Sequence, residues 1–467
     1  MAIITPEHIN QFKKIVGETN IFLDSESLEI YGKDHTEKLQ FTPDIVVKPK
    51  TAEEISAIIT ICNTHKIPVT PRGAGTGLSG GALPQLGGVV LSTERMNNII
   101  EIDEKNMQVI TEPGVITQVL MNAVKEKGLF YPPDPNSKGS CFIGGNIAEN
   151  SGGPKALKYG VVKDYVLNLE VVLPTGEIIW TGANVLKNAT GYNLTQLIVG
   201  SEGTLGIVTK IVLKLIPHPK HDVLMLVPFN NLEKASEAVG AIFRAGFTPS
   251  VLELMEIDGL KIVSDFVNNH SFPVNDEIAA HLLIETDGND KDVLMNEMTS
   301  IAELLQQYDC GEIFFAEDES QKVELWKLRR KISEAVVHAG YTIEEDTVVP
   351  RAALPNLIKA VKELGKEKGF KAVCFGHAGD GNIHIRINHP TIKNSYGSDE
   401  MKAILIDLFK VVKKLGGTIS AEHGIGLIQK PYMDIVFDKT TLQLMRSIKK
   451  VFDPNNILNA HKIFDLN

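Results

Sequence analysis

Cysteine is scarce and scattered. Cys62, Cys141, Cys310 and Cys374 form no CxxC pair, so the pattern holds neither a disulfide scaffold nor a zinc-ribbon or iron-sulfur ligand set. That usage fits a reducing compartment, and a cytoplasmic location is expected. Long apolar runs are also missing. No stretch of about 18 apolar residues occurs, and the start, MAIITPEHINQFKKIVG, carries Glu7 where a secretory leader would be continuously apolar. A soluble intracellular chain with no transmembrane segment is expected. Positive charge is in deficit, with 47 Lys plus Arg against 58 Asp plus Glu. The net charge of -11 argues against a nucleic-acid partner or an anionic membrane surface. Internal repeats and low-complexity segments are absent, which removes solenoids.

What is present is alternating α and β structure over 467 residues, enough for two or three domains. Residues 5–19 read as an amphipathic helix, and TPDIVVKP (42–49) is a β-branched strand bounded by prolines, where a domain begins. The helix pattern AEEISAIITICNTH follows, then the strands IPVTP and GGVVLS, the helix TQVLMNAVKEKG and the strands LNLEVVLPTG and GIVTKIVLKLIPHP. Pro217 and Pro219 mark a linker, with a boundary near residue 220. Beyond it, VLMLVPF with the helix NLEKASEAVGAIFRAG, and AAHLLIETDG with a helix over 290–307, suggest an antiparallel sheet with helices on one face.

Glycine, 39 residues in all, gathers in loops at 71–88, 139–160, 191–206 and 376–381. In PRGAGTGLSGGA (71–82) the missing Cβ atoms would let backbone N–H groups converge on a diphosphate. The loop lacks the lysine of the GxxxxGKS/T nucleotide loop and is not a clean GxGxxG, so a kinase or ATPase is disfavoured. One such loop could merely turn the chain, but CFIGGNIAENSGGPKALKY and VGSEGTLGIVT add two more in the same domain. One large cofactor could touch them all.

Together with PPDPNSKGSCFIGGNIAENSGG (132–153), NATGYNLTQLIVGSEGTLGIVT (188–209) and FDPNNILNAHKIF (452–464), this loop resembles the FAD-linked oxidases of the vanillyl-alcohol oxidase and p-cresol methylhydroxylase superfamily. More narrowly it is similar to the branch of D-lactate dehydrogenase, D-2-hydroxyglutarate dehydrogenase and the flavin subunit of glycolate oxidase. The resemblance implies an α+β architecture. A helical segment at 1–41 would precede a p-cresol-methylhydroxylase-type FAD-binding domain of two α/β subdomains at 42–220. A substrate and metal domain with an antiparallel sheet would span 221–424, and a C-terminal helical segment, 425–467, would return to the FAD domain. It further implies that Pro71, Arg72, Gly73, Ala74, Gly75, Thr76, Gly77, Ser79 and Gly80 cradle the pyrophosphate. Pro133, Asp134, Ser140, Gly144, Gly145, Asn146, Ser151 and Gly152 would line the flavin. Glu202, Gly206 and Ile207 would meet the adenine and ribose, with Asn459 a further contact from the tail. Covalent members carry a histidine in the first loop; this loop has none, so FAD is expected to be non-covalent.

In AVCFGHAGDGNIHIRIN (372–388) two β-rich runs flank Gly379-Asp380-Gly381, and a hairpin-like bend would bring His377 near His384. Glu422, in TISAEHGIG (418–426), offers a third ligand for a divalent ion, Zn²⁺ first, with Mn²⁺ or Fe²⁺ as alternatives. The family's HxGDGNxH and AEHG motifs imply these three as ligands and His423 as catalytic base. Arg329, in LWKLRRKISEA (325–335), aligns with the family arginine that grips the substrate carboxylate, and Ser333, His423 and Arg386 complete the expected substrate set.

The implied reaction is oxidation of a D-2-hydroxy acid, D-lactate or glycolate, to the 2-oxo acid, with the hydroxyl proton going to His423 and the hydride to the flavin. The 2-hydroxyglutarate enzymes carry a lysine where GYTIEED has Glu344, which counts against a dicarboxylic substrate. Arg386, two residues from His384 and on the same strand face, could meet a polar or carboxylate tail, or pair with Asp380 or Glu422. Other readings are a dicarboxylic hydroxy-acid dehydrogenase, an oxidase of alcohols or phenols, or a flavin subunit of a multi-subunit complex. With no cluster cysteines of its own, the chain would need an outside electron acceptor: electron-transfer flavoprotein, an iron-sulfur subunit or a quinone-linked carrier. Flavoenzymes of this size often form homodimers.

Overall fold

A computed structural model of the chain describes residues 4–36, 39–269, 272–393 and 395–466. It divides into two compact units. One comprises Met1–Gly152, Val161–His218 and Glu422–Asn467, the other Gly153–Gly160 and Pro219–Ala421.

In the first unit the opening helix is Pro6–Val16, shorter than the sequence pattern, because Gly17 at φ +83 ends it. Thr5 caps it and His8 reciprocates, so two otherwise orphaned N–H groups are satisfied. The next residues do not stay helical. Ile21–Phe22 is a strand that pairs antiparallel with Ile45–Val47, which itself runs parallel to Val89–Ser92, with Val69–Arg72 parallel on the far side. Helix Ala52–His65, capped by Thr51, turns Ile55, Ile58, Ile59 and Cys62 onto this four-stranded sheet. That spacing is the buried stripe of a 3.6-residue period, and it meets Val47, Val69, Val89 and Leu91.

The same unit holds a five-stranded antiparallel sheet ordered Ile99–Asp103, Gln108–Thr111, Ile207–Lys214, Val166–Val172, Ile178–Trp180. The C-terminal stretch closes onto the first sheet, where Leu458 bridges Val69 in parallel. Buried Lys449 fixes that stretch by donating to the carbonyls of Thr204 at 2.7 Å and Leu458 at 2.8 Å, and by pairing with Asp453.

The second unit is built on a seven-stranded antiparallel sheet. Its order is Phe314–Phe315, His221–Phe229, Ala280–Gly288, Val251–Glu256, Lys371–Gly376, Asn382–Asn388, Ile343–Val348. Leu224, Leu226, Met255, Leu283, Val373 and Phe375 form one core with helices Ile257–Val267 and Glu319–His338. The alternate residues, Val223, Met225, Val227, Leu254 and Ile284, are also buried, so this sheet is covered on both faces rather than one. The unbroken apolar runs of its central strands are the physical reason. Segment 153–160 is tied to this unit by charge: Lys155 pairs with Glu285 and Asp287, while Lys158 and Tyr159 both bond Asp287. Among the described residues no helix is long and apolar enough to cross a membrane.

Candidate active site

In the first unit the glycine loop leaves the end of strand Val69–Arg72, whose register places Arg72 opposite Ser92. A Cβ on Gly77 or Gly145 would meet nothing within 4 Å, and one on Gly73 would make ordinary contact with Gly145 at 3.7 Å and Phe142 at 3.8 Å. Gly75, at φ +73, is a different case: a side chain there would collide with the Arg72 guanidinium. The loop with Ala74 and Thr76, and helix Ile143–Glu149 at Gly145 and Asn146, therefore present backbone with little side chain, whereas Gly144 is packed against Pro113, where a Cβ would come within 2.6 Å. Buried donors come with it. Among the described residues Arg72 Nη1, Ser79 Oγ and Asn146 Nδ2 have no hydrogen-bond partner, and such atoms are seldom left unpaired in a folded protein. Their chemistry fits a phosphate-bearing, polar-edged cofactor such as FAD.

The other expected flavin contacts divide. Pro133 and Asp134 are buried, with Asp134 paired to Lys138 at 3.1 Å, whereas Ser140 is exposed. Ser151 is half-buried and Gly152 buried, and a Cβ on Gly152 would press on the Glu422 carboxylate at 2.8 Å. Gly206 lies against Val171 and Ile207 packs inside the core, so neither offers a side chain to a ligand. Pro71 is half-buried beside Gly203, and Gly80 sits at φ +81 against Leu427.

Glu202 turns its side chain to the segment after the AEHG motif. Its two oxygens accept from the N–H groups of Ile425 and Gly426, both at 2.7 Å, while Asn459 Nδ2 donates to its carbonyl at 2.7 Å. Glu149 closes on the same turn: a Cβ on Gly424 would collide with its Oε2, which has no partner. Burial raises the Glu149 carboxyl well above its ordinary range, and the neighbouring Glu202 charge adds to this. Lys462 lies beside them, bonded to the carbonyl of Gly81 at 2.5 Å, and burial brings its ammonium down to about 7. Glu149 and Lys462 were not foreseen from sequence; an acid two residues before the SGG turn was the available signal for the first.

The second unit assembles a buried polar patch on one sheet face. Strand Asn382–Asn388 puts His384 and Arg386 on that face, and antiparallel register sets Asp346 opposite His384 and Glu344 opposite Arg386. Phe375 on the other flanking strand faces His384, and Gly376 ends that strand just before His377. The bend at 377–381 brings the His377 and His384 rings to 5.6 Å between centroids. His377 Nδ1 lies 2.6 Å from Glu253 Oε1, and Glu253 Oε2 accepts from Arg329 Nε at 2.5 Å. Burial opposes ionisation of Glu253, but Arg329 and His377 outweigh it and bring its carboxyl down to about 2.

Arg329 is buried, on helix Glu319–His338, with its guanidinium over the Phe375 ring at 5.5 Å. Ser333, one turn further on, accepts from Arg386 Nη2 at 2.7 Å, and Arg386 pairs with Glu344. Asp346, also unforeseen, lies 3.9 Å from His384 Nδ1 and accepts from the N–H of Ala421 at 2.9 Å. Glu422 and His423 follow Ala421 directly in the chain. Glu253 and Asp346 could have been suspected as acids standing in buried strands, which need a partner to be stable there.

A side-chain-poor cradle lined with unpaired buried donors, in a chain that also holds a His-carboxylate-Arg patch, is the equipment of a flavin-dependent oxidoreductase. Residues 43–182 match the FAD binding domain family, and residues 218–463 match the family of FAD linked oxidases, C-terminal domain. The chain belongs to the FAD-linked oxidases. It is 39% identical to the glycolate oxidase subunit GlcD of Bacillus subtilis (strain 168), over 99% of this chain and 97% of that protein. It is 38% identical to a D-lactate dehydrogenase of Anaerostipes hadrus, over 98% of each chain. With a D-2-hydroxyglutarate dehydrogenase of Stutzerimonas stutzeri (strain A1501) it shares 32% identity over 98% of this chain and 99% of that one. Among solved structures, p-cresol methylhydroxylase with substrate bound has the same fold, with a TM-score of 0.81 at 20% identity over 99% of this chain and 98% of that one.

Proposed function

We propose that this FAD-dependent oxidoreductase is a dehydrogenase of D-2-hydroxy acids, D-lactate, glycolate or a close relative, yielding the 2-oxo acid. The observation that carries the reading is Arg329. Its Nε is fixed by Glu253, and its two terminal nitrogens have no hydrogen-bond partner among the described residues. A buried guanidinium with an open fork calls for a planar anion such as a carboxylate. Glu253 holds His377 in the same way, so the cation and the histidine are oriented by one group.

Bound FAD, non-covalent because the 71–82 loop has no histidine, would supply the hydride acceptor. The residues we assign to it are Pro71 to Gly77, Ser79, Gly80, Pro133, Asp134, Ser140, Gly144, Gly145, Asn146, Ser151, Gly152, Glu202, Gly206, Ile207 and Asn459. The flavin-binding part is taken as 42–220 with 425–467, and the substrate part as 221–424. Arg329 would hold the substrate carboxylate, and neutral His423 would take the hydroxyl proton. A divalent ion, Zn²⁺ before Mn²⁺ or Fe²⁺, would be held by His377, His384 and Glu422 and would supply Lewis acidity toward the hydroxyl. The donor chemistry fits: a histidine whose Nδ1 rests on a carboxylate presents Nε2 as a metal ligand. Asp346, beside His384, is a further carboxylate for that set. Electrons would leave to an external carrier, since the four cysteines are too far apart in sequence to form a recognised cluster motif.

Replacing Arg329 by Met tests the reading. The expected result is a fall in kcat/KM for D-lactate of about 100-fold or more, from loss of two charge-assisted hydrogen bonds, with FAD retained. Unchanged kinetics in a flavin-loaded Arg329→Met protein would remove it.

A further inference from the structure

The two buried arginines of the second unit are not equivalent. Among the described residues Arg329 is hydrogen-bonded through Nε alone, which keeps its fork open. Arg386 is occupied. Glu344 stands directly opposite it in the strand register, and Arg386 Nη2 meets Glu344 Oε2 and also donates to Ser333 Oγ at 2.7 Å. On its other flank Arg386 faces Val373, which offers no competing charge. Glu344 itself is fixed: the Tyr396 hydroxyl accepts from its N–H at 3.0 Å and donates to its carbonyl at 2.7 Å. The pair is desolvated, with side-chain exposures of 6% for Arg386 and 10% for Glu344.

These contacts decide which anions the patch can take. One incoming carboxylate finds a matching cation at Arg329. A second would have to take Arg386 from Glu344, and that would leave the buried Glu344 carboxylate beside Asp346 with only His384 Nδ1, 3.7 Å away, to face it. We propose that Glu344 is a specificity determinant, an internal carboxylate that occupies Arg386 and restricts the site to monocarboxylic 2-hydroxy acids with short, uncharged tails. The inference rests on the 2-hydroxy-acid reading above and narrows it to one substrate class. It also gives Arg386 a role opposite to gripping a substrate's tail.

Binding of the unreactive products to oxidised, FAD-loaded protein tests it by calorimetry, with pyruvate and 2-oxoglutarate as probes. The wild-type protein should bind pyruvate at least about 10-fold more tightly than 2-oxoglutarate. Glu344→Gln, which removes the charge opposite Arg386, should move that ratio at least about 10-fold toward 2-oxoglutarate. Glu344→Gln combined with Arg386→Gln removes both charges and should show no such gain. Equal binding of the two acids by the wild type, an unmoved ratio in Glu344→Gln, or the same gain in the double variant would each overturn the proposal. Should Glu344→Gln fail to hold FAD, the wild-type ratio decides alone. Anaerobic bleaching of the flavin by D-lactate separates the two readings. If no hydroxy acid bleaches it, the proposed reaction is lost, while the product preference still decides the role of Glu344.

Discussion

Glu149 and Glu202 both close on the turn that follows His423, and their hydrogen bonds differ in kind. Glu202 accepts two backbone N–H groups, which only a carboxylate can do with both oxygens. Glu149 Oε2 has no donor, and burial together with the Glu202 charge raises that carboxyl, so Glu149 holds the proton of the pair. The consequence is asymmetric. In Glu202→Gln an amide NH₂ would confront an N–H, costing about 1–3 kcal/mol and lowering the melting temperature of the holoprotein. Glu149→Gln replaces a neutral acid by a neutral amide and should stay within about 1 kcal/mol of wild type. Thermal unfolding of the two variants checks this; equal losses, or a larger loss for Glu149→Gln, would contradict the assignment.

At the scale of elements, the strand Ala280–Gly288 buries His281 completely. Burial, only partly offset by the carbonyl of Pro273, brings its imidazole down to about 4. The folded-state value lies below the unfolded one, so as pH falls the unfolded chain takes the proton first and stability is lost. The loss should run from about pH 6.5 to about pH 4 and amount to roughly 3 kcal/mol. His281→Leu should flatten that part of the profile, measured by denaturant unfolding across the range; an identical slope in both proteins would count against it.

The same elements show what is readable in a sequence and what is not. Helix Ala52–His65 matches its apolar spacing residue for residue, with Thr51 as cap, because local periodicity and capping act over a few residues. That His384 and Arg386 share a face follows from strand alternation, also local. That Glu344 stands across from Arg386, or Glu253 beneath Arg329 and His377, depends on long-range register and helix packing, which one sequence does not encode visibly. The shift of residues 153–160 into the second unit is hidden for the same reason: Lys155 and Lys158 find Asp287 about 130 residues away.

For the whole molecule, the glycine cradle with its unpaired donors and the histidine patch with its oriented arginine belong to different units, and the proposed chemistry needs both. Its central claim is that His423 would take the hydroxyl proton beside a divalent ion that His377, His384 and Glu422 would hold for its Lewis acidity, with bound FAD supplying the hydride acceptor. The most direct measurement is an anaerobic absorbance titration of the FAD-loaded protein with D-lactate, L-lactate and glycolate, made before and after chelation and again after Zn²⁺ is returned. Bleaching by D-lactate or glycolate but not L-lactate, lost on chelation and restored by Zn²⁺, is the expected result. Bleaching that persists undiminished in protein shown to be metal-free would contradict the metal-assisted reaction.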